Sequence, residues 1–158
     1  MMKIEHVAIA FLVCLSGCSN GNYQGFKNAP YTIGGQRYFP LGVDQALRHQ
    51  EVGVASWYDE RKMFGLVSGT TALGERFSSR SLAGAHRTLP LPCQVKVTNL
   101  ENGRTVKLRL NDRGPYAGNR VLDVTPRAAA KLGFKDKGMT RVQIEVLSVG
   151  DGGWKRKR

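Results

Sequence analysis

The chain has 158 residues, and its 24 Lys and Arg outnumber its 12 Asp and Glu, which gives a formal net charge of +12 at neutral pH. Apolar residues make up 41% of the chain and charged residues 23%, which argues against disorder, while 19 glycines and 8% aromatic residues favour a turn-rich β protein. The length fits one domain, and no apolar run approaches the roughly 20 residues of a membrane-spanning helix, which excludes a polytopic membrane protein.

Residues 1–17 are organised as a signal peptide. Lys3 precedes an apolar run at residues 7–15, which has the length of a signal-peptide core and is too short to cross a bilayer. The sequence LSGC follows at residues 15–18 and resembles the bacterial lipobox, in which the cysteine is lipidated and the chain is cut just before it. We therefore expect a lipid on Cys18, and Ser19 resembles the pattern for sorting to the outer membrane. A plain secretory signal and a buried N-terminal strand are the alternatives.

Cys93 is the thiol that remains, because Cys14 leaves with the signal peptide and Cys18 takes the lipid. One thiol forms no internal disulfide, which matters in an oxidising periplasm. Since Cys93 begins an alternating apolar segment, we expect it to pack as a small hydrophobic residue. The alternative is a nucleophile paired with His86.

Residues 18–50 are interpreted as a lipid-anchored tether that becomes ordered toward its end, because Gly, Asn, Pro and Tyr are mixed there with little periodicity. A small hairpin at residues 31–39 would turn at Gly34 and Gly35. Beyond residue 149 the chain is expected to form a basic tail, residues 150–158, which ends in WKRKR.

Short strands are predicted at residues 52–57, 93–99, 104–110, 121–124 and 141–147, where apolar and polar residues mostly alternate. Asn102-Gly103 favours a hairpin between the second and third of these. One helix is predicted, with Thr125 as its cap, Pro126 at its first position, residues 127–132 as its body and Gly133 at its end. Five or six strands with one or two short helices indicate a small β-barrel.

Three polar stretches are not required by a barrel: TALGERF at residues 71–77, AHRTLP at 85–90 and NDRGPY at 111–116. Asp112 follows an alternating strand on a Gly-Pro turn, which would hold a carboxylate on a rigid scaffold open to a ligand. Each stretch also has a structural interpretation, in which Asp112 anchors a turn, Glu75 is a solvated charge and His86 is a satisfied buried imidazole.

Together with GVASWY at residues 53–58, VTNLENGR at 97–104, RVLD at 120–123 and AAAKLG at 128–133, these stretches resemble the rare lipoprotein A family. The resemblance implies a mainly β fold, a six-stranded double-psi β-barrel over residues 51–149, shared with expansins. It also implies a peptidoglycan lytic transglycosylase that cleaves MurNAc–GlcNAc bonds with formation of 1,6-anhydroMurNAc and prefers glycan without stem peptides.

The family's functional positions fall on Asp112, Glu75 and His86, which the resemblance makes the catalytic residues. We assign proton transfer to Asp112, substrate orientation or support of Asp112 to Glu75, and a hydrogen bond into that pair to His86. The substrate-binding candidates are Asn111, Arg113, Tyr116, Tyr58 and Arg87; Tyr58 and Tyr116 would stack on sugar faces, and Arg113 would point away from Asp112 or toward the sugar.

One principal carboxylate suits this reaction. A glycoside hydrolase normally needs two, whereas a lytic transglycosylase uses the C6 hydroxyl of the same muramic acid residue as a nucleophile that is already in place. A single group can then protonate the glycosidic oxygen and afterwards accept the proton of the hydroxyl.

The main alternative is an expansin-like barrel that binds glycan without cutting it. A nucleic-acid-binding protein is suggested by the charge of +12, but the lipobox places the chain in the cell envelope, where wall carboxylates and lipid phosphates are the available polyanions. His49 and His86 have no clustered ligands in the sequence, so neither a metal nor another cofactor is predicted. The expected partners are therefore glycan strands and a membrane, the latter through Cys18.

Overall fold

The computed structural model describes residues 26–59, 61–62, 67–151 and 154–155. The predicted signal peptide and Cys18 lie outside the described residues. In chain order the elements are β1 (Tyr31–Ile33), β2 (Gln36–Tyr38), α1 (Val43–Arg48), β3 (Gln50–Trp57), β4 (Arg61–Lys62), β5 (Val67–Ser68), β6 (Ala83–Ala85), β7 (Cys93–Asn99), β8 (Thr105–Asp112), β9 (Arg120–Val124), α2 (Pro126–Leu132), β10 (Met139–Val149) and β11 (Trp154–Lys155). Neither helix is long and apolar enough to span a membrane.

Six of the strands close into a barrel in the order β10, β3, β9, β6, β8 and β7, with β7 pairing back onto β10. The pairs β3–β9 and β6–β8 are parallel, and the others are antiparallel. The predicted six-stranded double-psi β-barrel is therefore confirmed.

Buried and exposed side chains alternate along the strands, and the buried ones fill the interior of the barrel. In β7 the side chains of Cys93, Val95 and Val97 are fully buried while the residues between them are partly exposed, and β8 and β10 follow the same pattern. Burying an aliphatic side chain of this size contributes about 1.5–3 kcal/mol, so the alternation fixes which face of each strand points inward.

Helix α2 lies where it is predicted, and Gly133 ends it in the left-handed conformation with φ 78°. Thr125 occupies the N-cap position, as predicted, but its side chain makes no capping hydrogen bond. The Thr125 hydroxyl instead donates to the carbonyl of Ser81 at 2.7 Å, because the segment before β6 lies beside it.

The segment that precedes the barrel packs against it. A hairpin of β1 and β2 turns at Gly34 and Gly35, which have φ of 55° and 80°, as a two-residue turn of this kind requires. The amide of Leu41 donates to the carbonyl of Thr88 at 2.7 Å, and α1 packs on β10. Within residues 26–50, the hairpin and α1 thus pack with the barrel.

Candidate active site

Asp112 is the last residue of β8, two residues beyond the predicted end of that strand. β8 runs parallel to β6 with Asp112 beside Ala85, and the Asp112 carbonyl accepts from the amide of His86 at 3.1 Å. Gly114, with φ of 129°, then turns the chain in a conformation that favours glycine. The carboxylate is therefore carried by the barrel wall itself.

The two oxygens of the Asp112 carboxylate have different surroundings. Oδ1 accepts from the amides of Ala72 and Arg113, each at 2.8 Å, whereas the hydroxyl of Tyr58 lies 3.4 Å from Oδ2. Because two N–H donors point at Oδ1, a proton on this group would sit on Oδ2. Oδ2 is thus the atom that can exchange a proton with a ligand.

Glu75 is bound on both of its oxygens. Arg109 donates to Oε2 and Oε1 at 2.7 Å each, and the Asn111 amide donates to Oε2 at 2.7 Å. Partial burial opposes ionisation of Glu75, but the hydrogen bonds from Arg109 and Asn111 outweigh it and lower the pKa of Glu75. Arg109 also donates two hydrogen bonds to Asp151, each at 2.7 Å. Glu75 is therefore an ionised group that orients Asn111.

His86 does not donate into a pair formed by Asp112 and Glu75, which corrects the prediction. Its Nδ1 accepts from the amides of Thr88 at 3.1 Å and Leu89 at 3.0 Å, so the proton of the neutral ring lies on Nε2. Nε2 is 2.9 Å from the Oε2 of Glu51 and donates to it. Burial lowers the pKa of His86 more than the Glu51 carboxylate raises it, which keeps the ring neutral.

His49, Glu51 and His86 form a cluster, so the expectation that the two histidines lack clustered ligands is wrong. The His49 Nε2 lies 3.2 Å from the Glu51 carboxylate, and the ligand atoms of the three residues are within 4.8 Å of one another. Hydrogen bonds from His49 and then His86 lower the pKa of Glu51 to about 2. A metal on the Nε2 of His86 would require its proton to move to Nδ1, which already accepts two amides. The cluster is therefore built for hydrogen bonding to an ionised Glu51.

The Arg113 guanidinium points away from Asp112, as expected. It donates to the carbonyls of Leu89 at 2.5 Å and Lys27 at 3.1 Å, and it lies over the ring of Tyr31 at 5.2 Å. The Arg113 side chain therefore fixes the backbone of the segments that contain Leu89 and Lys27. Arg87, another substrate-binding candidate, contributes its backbone carbonyl, which accepts from the hydroxyl of Tyr31 at 2.8 Å.

A cavity of about 250 Å³ opens beside Asn111, the residue before Asp112; we call it the glutamate cavity, and Tyr58, Thr71, Glu75, Phe77, Arg109 and Asn111 are among the residues that line it. The ring of Tyr58 packs on Phe77 with centroids 5.2 Å apart. Within the described part of the chain the buried Oδ1 of Asn111 has no hydrogen-bond partner. Since buried polar atoms are normally paired, this oxygen is an unmet hydrogen-bond acceptor beside Glu75.

Cys93 is fully buried, and burial raises the pKa of its thiol to about 12. A thiol of this kind is not ionised near neutral pH, so the nucleophile alternative is not supported. Packing as a small hydrophobic residue describes Cys93 instead.

Sequence reasoning missed Glu51, Arg109 and Asp151. Glu51 occupies an inward position of β3, on the same side of the strand as the buried Ala55, and an acidic residue at such a position is the signal that could have identified it. Arg109 carries no such signal, because a residue between the buried Leu108 and Leu110 occupies the outward position of an alternating strand; only its place two residues before the motif of Asp112 marks it.

The closed mixed barrel, with a carboxylate at the end of β8, is a double-psi β-barrel with a candidate active site. The profile of the lytic transglycolase family matches residues 50–144, and the chain belongs to that family.

Three relatives named "Endolytic peptidoglycan transglycosylase RlpA" illustrate the similarity. The Rickettsia felis protein is 47% identical over 127 residues, which cover 80% of this chain and 53% of the relative. The Pseudomonas aeruginosa UCBPP-PA14 protein is 45% identical over 121 residues, which cover 77% of this chain and 34% of the relative. The Rickettsia bellii protein is 43% identical over 174 residues, which cover 93% of this chain and 75% of the relative. The chain thus spans about half or less of the first two relatives.

Two solved structures resemble the chain more distantly. The Streptomyces papain inhibitor is 20% identical, covers 61% of this chain and 94% of its own, and has a TM-score of 0.48. The expansin of Clavibacter michiganensis is 17% identical, covers 63% and 50%, and has a TM-score of 0.43.

Proposed function

We propose that this protein is a peptidoglycan lytic transglycosylase that cleaves MurNAc–GlcNAc bonds and forms 1,6-anhydroMurNAc, with a preference for glycan without stem peptides. One observation carries the proposal: the ionised Glu75 is held in an ion pair with Arg109, whereas the Oδ2 of Asp112 has, among the described residues, only the hydroxyl of Tyr58 at 3.4 Å as a hydrogen-bond partner. The names of the family and of the relatives support the same activity.

In the proposed reaction Asp112 carries the proton on Oδ2 and donates it to the glycosidic oxygen. The bond between that oxygen and C1 of the muramic acid residue breaks, and the C6 hydroxyl oxygen of the same residue attacks C1. The hydroxyl proton passes to Oδ2, which restores the acid without consuming water. The nucleophile belongs to the substrate, so no second carboxylate is needed.

The other residues assist this transfer. Tyr58 can hold the hydrogen-bond position at Oδ2 until a ligand enters, and Glu75 fixes the side chain of Asn111, which lines the cavity. His86 is assigned a positioning role, since its ring holds the amides of Thr88 and Leu89.

The test compares Asp112→Asn with Glu75→Gln on intact and peptide-free sacculi, with mass spectrometry of the released fragments. Losing a positioned general acid costs about 10²–10⁴ in rate, and here the same group is also the base, so Asp112→Asn should release no detectable anhydro product while still binding glycan. A dead Glu75→Gln beside an active Asp112→Asn would reverse the two roles. A wild-type chain that binds glycan but releases no anhydro product would make it an expansin-like binder.

We further propose that the protein acts in the bacterial cell envelope, anchored through lipid on Cys18 and facing the periplasm from the outer membrane. The sequence LSGC at residues 15–18 supports this proposal. Cys18→Ala should abolish incorporation of labelled palmitate, because it removes the thiol that carries the lipid. Two acyl chains with an amide-linked third provide the stable membrane attachment that one chain does not. Unchanged palmitate incorporation in the variant would contradict the assignment.

A further inference from the structure

We propose that the hairpin of β1 and β2 and the residue Lys27 before it form a second saccharide subsite next to Asp112, one that takes a muramic acid residue with a free carboxylate. The inference deepens the proposed function and rests on it. These residues precede the part of the chain that the family profile matches, which begins at residue 50. The subsite is a cavity of about 220 Å³, the hairpin cavity, lined among others by Lys27, Tyr31, Ile33, Ala72, Arg113 and Tyr116.

Residues that contact the Asp112 carboxylate line both the hairpin cavity and the glutamate cavity. Ala72 and Arg113, whose amides bind the Oδ1 of Asp112, line the hairpin cavity. Tyr58, whose hydroxyl lies near Oδ2, lines the glutamate cavity. A glycan strand that occupied both cavities would run past the residues that hold this carboxylate, as cleavage between two sugar residues requires.

Aromatic rings give the hairpin cavity an apolar wall. Tyr31 stacks on Tyr38 with centroids 5.2 Å apart, and Tyr116 packs against Tyr38 at 5.5 Å. Tyr116 remains 40% exposed and Ile33 45% exposed, so this wall is open to a ligand. Pyranose rings present C–H faces with hydroxyls at their rims, and a wall of tyrosines offers both an apolar surface and polar tips to them.

The cavity also presents positive charge. The exposed ammonium of Lys27 donates to the carbonyl of Ala72 at 3.0 Å, at the rim of the cavity, and the guanidinium of Arg113 lies over Tyr31. Muramic acid differs from glucosamine by a lactyl group that ends in a carboxylate when no stem peptide is attached. A carboxylate beside a lysine forms a charge-assisted hydrogen bond, whereas the amide of a peptide-bearing strand carries no such charge.

The site is built before a ligand arrives. Lys27 exchanges two backbone hydrogen bonds with Leu91, at 2.5 and 3.0 Å, and its carbonyl also accepts from Arg113. The Tyr31 hydroxyl is held by the carbonyl of Arg87. A preorganised site avoids the ordering cost that a mobile segment would add on binding.

The experiment measures calorimetric binding to the purified full chain carrying Asp112→Asn, so that cleavage does not consume the ligand. The probes are peptide-free glycan strands and neutral chito-oligosaccharides of equal length. Tyr31→Ala should weaken binding of both probes about tenfold, because it removes a ring that lines the cavity and against which Tyr38 and Arg113 pack. Lys27→Gln should weaken binding of the peptide-free glycan only, and this difference should shrink at high salt.

Phe39→Ala is the matched control, because Phe39 belongs to the same segment, is 62% exposed and does not line the cavity; it should bind like the parent. If Tyr31→Ala fails to fold, Ile33→Asp replaces it: an exposed residue acquires a charge that should repel the peptide-free glycan and spare the neutral probe. The subsite is overturned if the glycan affinity of Tyr31→Ala or Ile33→Asp equals that of Phe39→Ala. The carboxylate assignment is overturned if Lys27→Gln weakens binding of both probes equally.

The two proposals fail separately. The release of anhydro products is measured on chains that retain Asp112, so its absence counts against the transglycosylase while the binding data still decide the subsite. Release of anhydro products together with binding that is independent of the hairpin would leave the enzyme and remove the subsite.

Discussion

The two ring nitrogens of His86 have different hydrogen-bond partners, and two substitutions can test the contribution of each nitrogen separately. His86→Asn places an amide oxygen near the position of Nδ1, where it can accept from Thr88 and Leu89, but it leaves nothing at Nε2 for Glu51. His86→Gln places its amide nitrogen near Nε2, which keeps the bond to Glu51 and leaves the two backbone amides without their acceptor.

The two losses differ in size. A buried donor left unpaired costs about 1–3 kcal/mol, so His86→Gln should lose about 2–6 kcal/mol of unfolding free energy. His86→Asn removes one hydrogen bond to Glu51, whose side chain is 28% exposed and keeps His49, and should lose about 1 kcal/mol. For a domain of this size 1 kcal/mol shifts Tm by about 3–5 °C, so we expect shifts of about 3–5 °C for Asn and about 6 °C or more for Gln.

The assay combines thermal unfolding with the release of anhydro products per folded molecule. If His86 acts by positioning its loop, His86→Asn retains most of the activity and His86→Gln loses more. A folded but inactive His86→Asn would instead show that the ring does more in the reaction than position its loop. A variant His86→Asn that is less stable than His86→Gln would refute the assignment of the two amide bonds.

The same ring makes stability depend on pH. The folded pKa of His86 is lowered, so the unfolded chain takes up a proton near pH 6.5 that the folded chain does not, and acid favours unfolding. Above its ordinary pKa of 4.5, Glu51 is ionised in both the folded and the unfolded chain, so it does not contribute to the change in stability near pH 6.5. The Tm of the wild type should therefore fall between pH 7 and pH 5, and that of His86→Asn should fall less; parallel curves would contradict the buried neutral ring.

Three further substitutions follow from the ion pairs. Glu51 has a folded pKa of about 2 against an ordinary 4.5, so its contribution to stability is present above pH 4.5 and is lost toward pH 2; acid titration of Glu51→Gln should be flatter over that interval than that of the wild type. Glu75→Gln should lower Tm only slightly, because the pair with Arg109 is partly exposed, and should reduce product release by less than Asp112→Asn does. Asp123 accepts from Ser56 at 2.5 Å and from Arg120 at 3.0 Å, which links β9 to β3, so Asp123→Asn should cost about 1–3 kcal/mol in urea unfolding and leave activity per folded molecule unchanged.

The strands that the sequence predicts well are those whose alternation records burial on one side. β7 lies at residues 93–99 as predicted, and β8, β9 and β10 differ from the predictions only at their ends. β6 was missed because Ala-Gly-Ala has little strand propensity. Its central place between β9 and β8 follows from close packing, since a side chain at Gly84 would lie 2.8 Å from the carbonyl of Asp123. Tertiary contacts of that kind leave no periodic trace in the sequence.

The candidate site was predictable in its residues and not in its pairings. The motifs marked Asp112, Glu75 and His86, but each side chain takes its partner from a distant element: Glu75 from Arg109, 34 residues away, and His86 from Glu51, 35 residues away. Whether a carboxylate can donate a proton or only fixes a neighbouring side chain depends on its hydrogen-bond partners. Those partners are brought together only when the barrel folds.

The pairing of Arg109 with Asp151 has a practical consequence for defining the domain. The family profile ends at residue 144, yet Asp151 provides one of the two carboxylates that orient Arg109, and Arg109 in turn fixes Glu75. An expression fragment cut at the profile boundary would contain every candidate catalytic side chain and still present a cleft whose guanidinium had lost half of its anchoring. The smallest fragment that preserves the cleft must extend at least through residue 151.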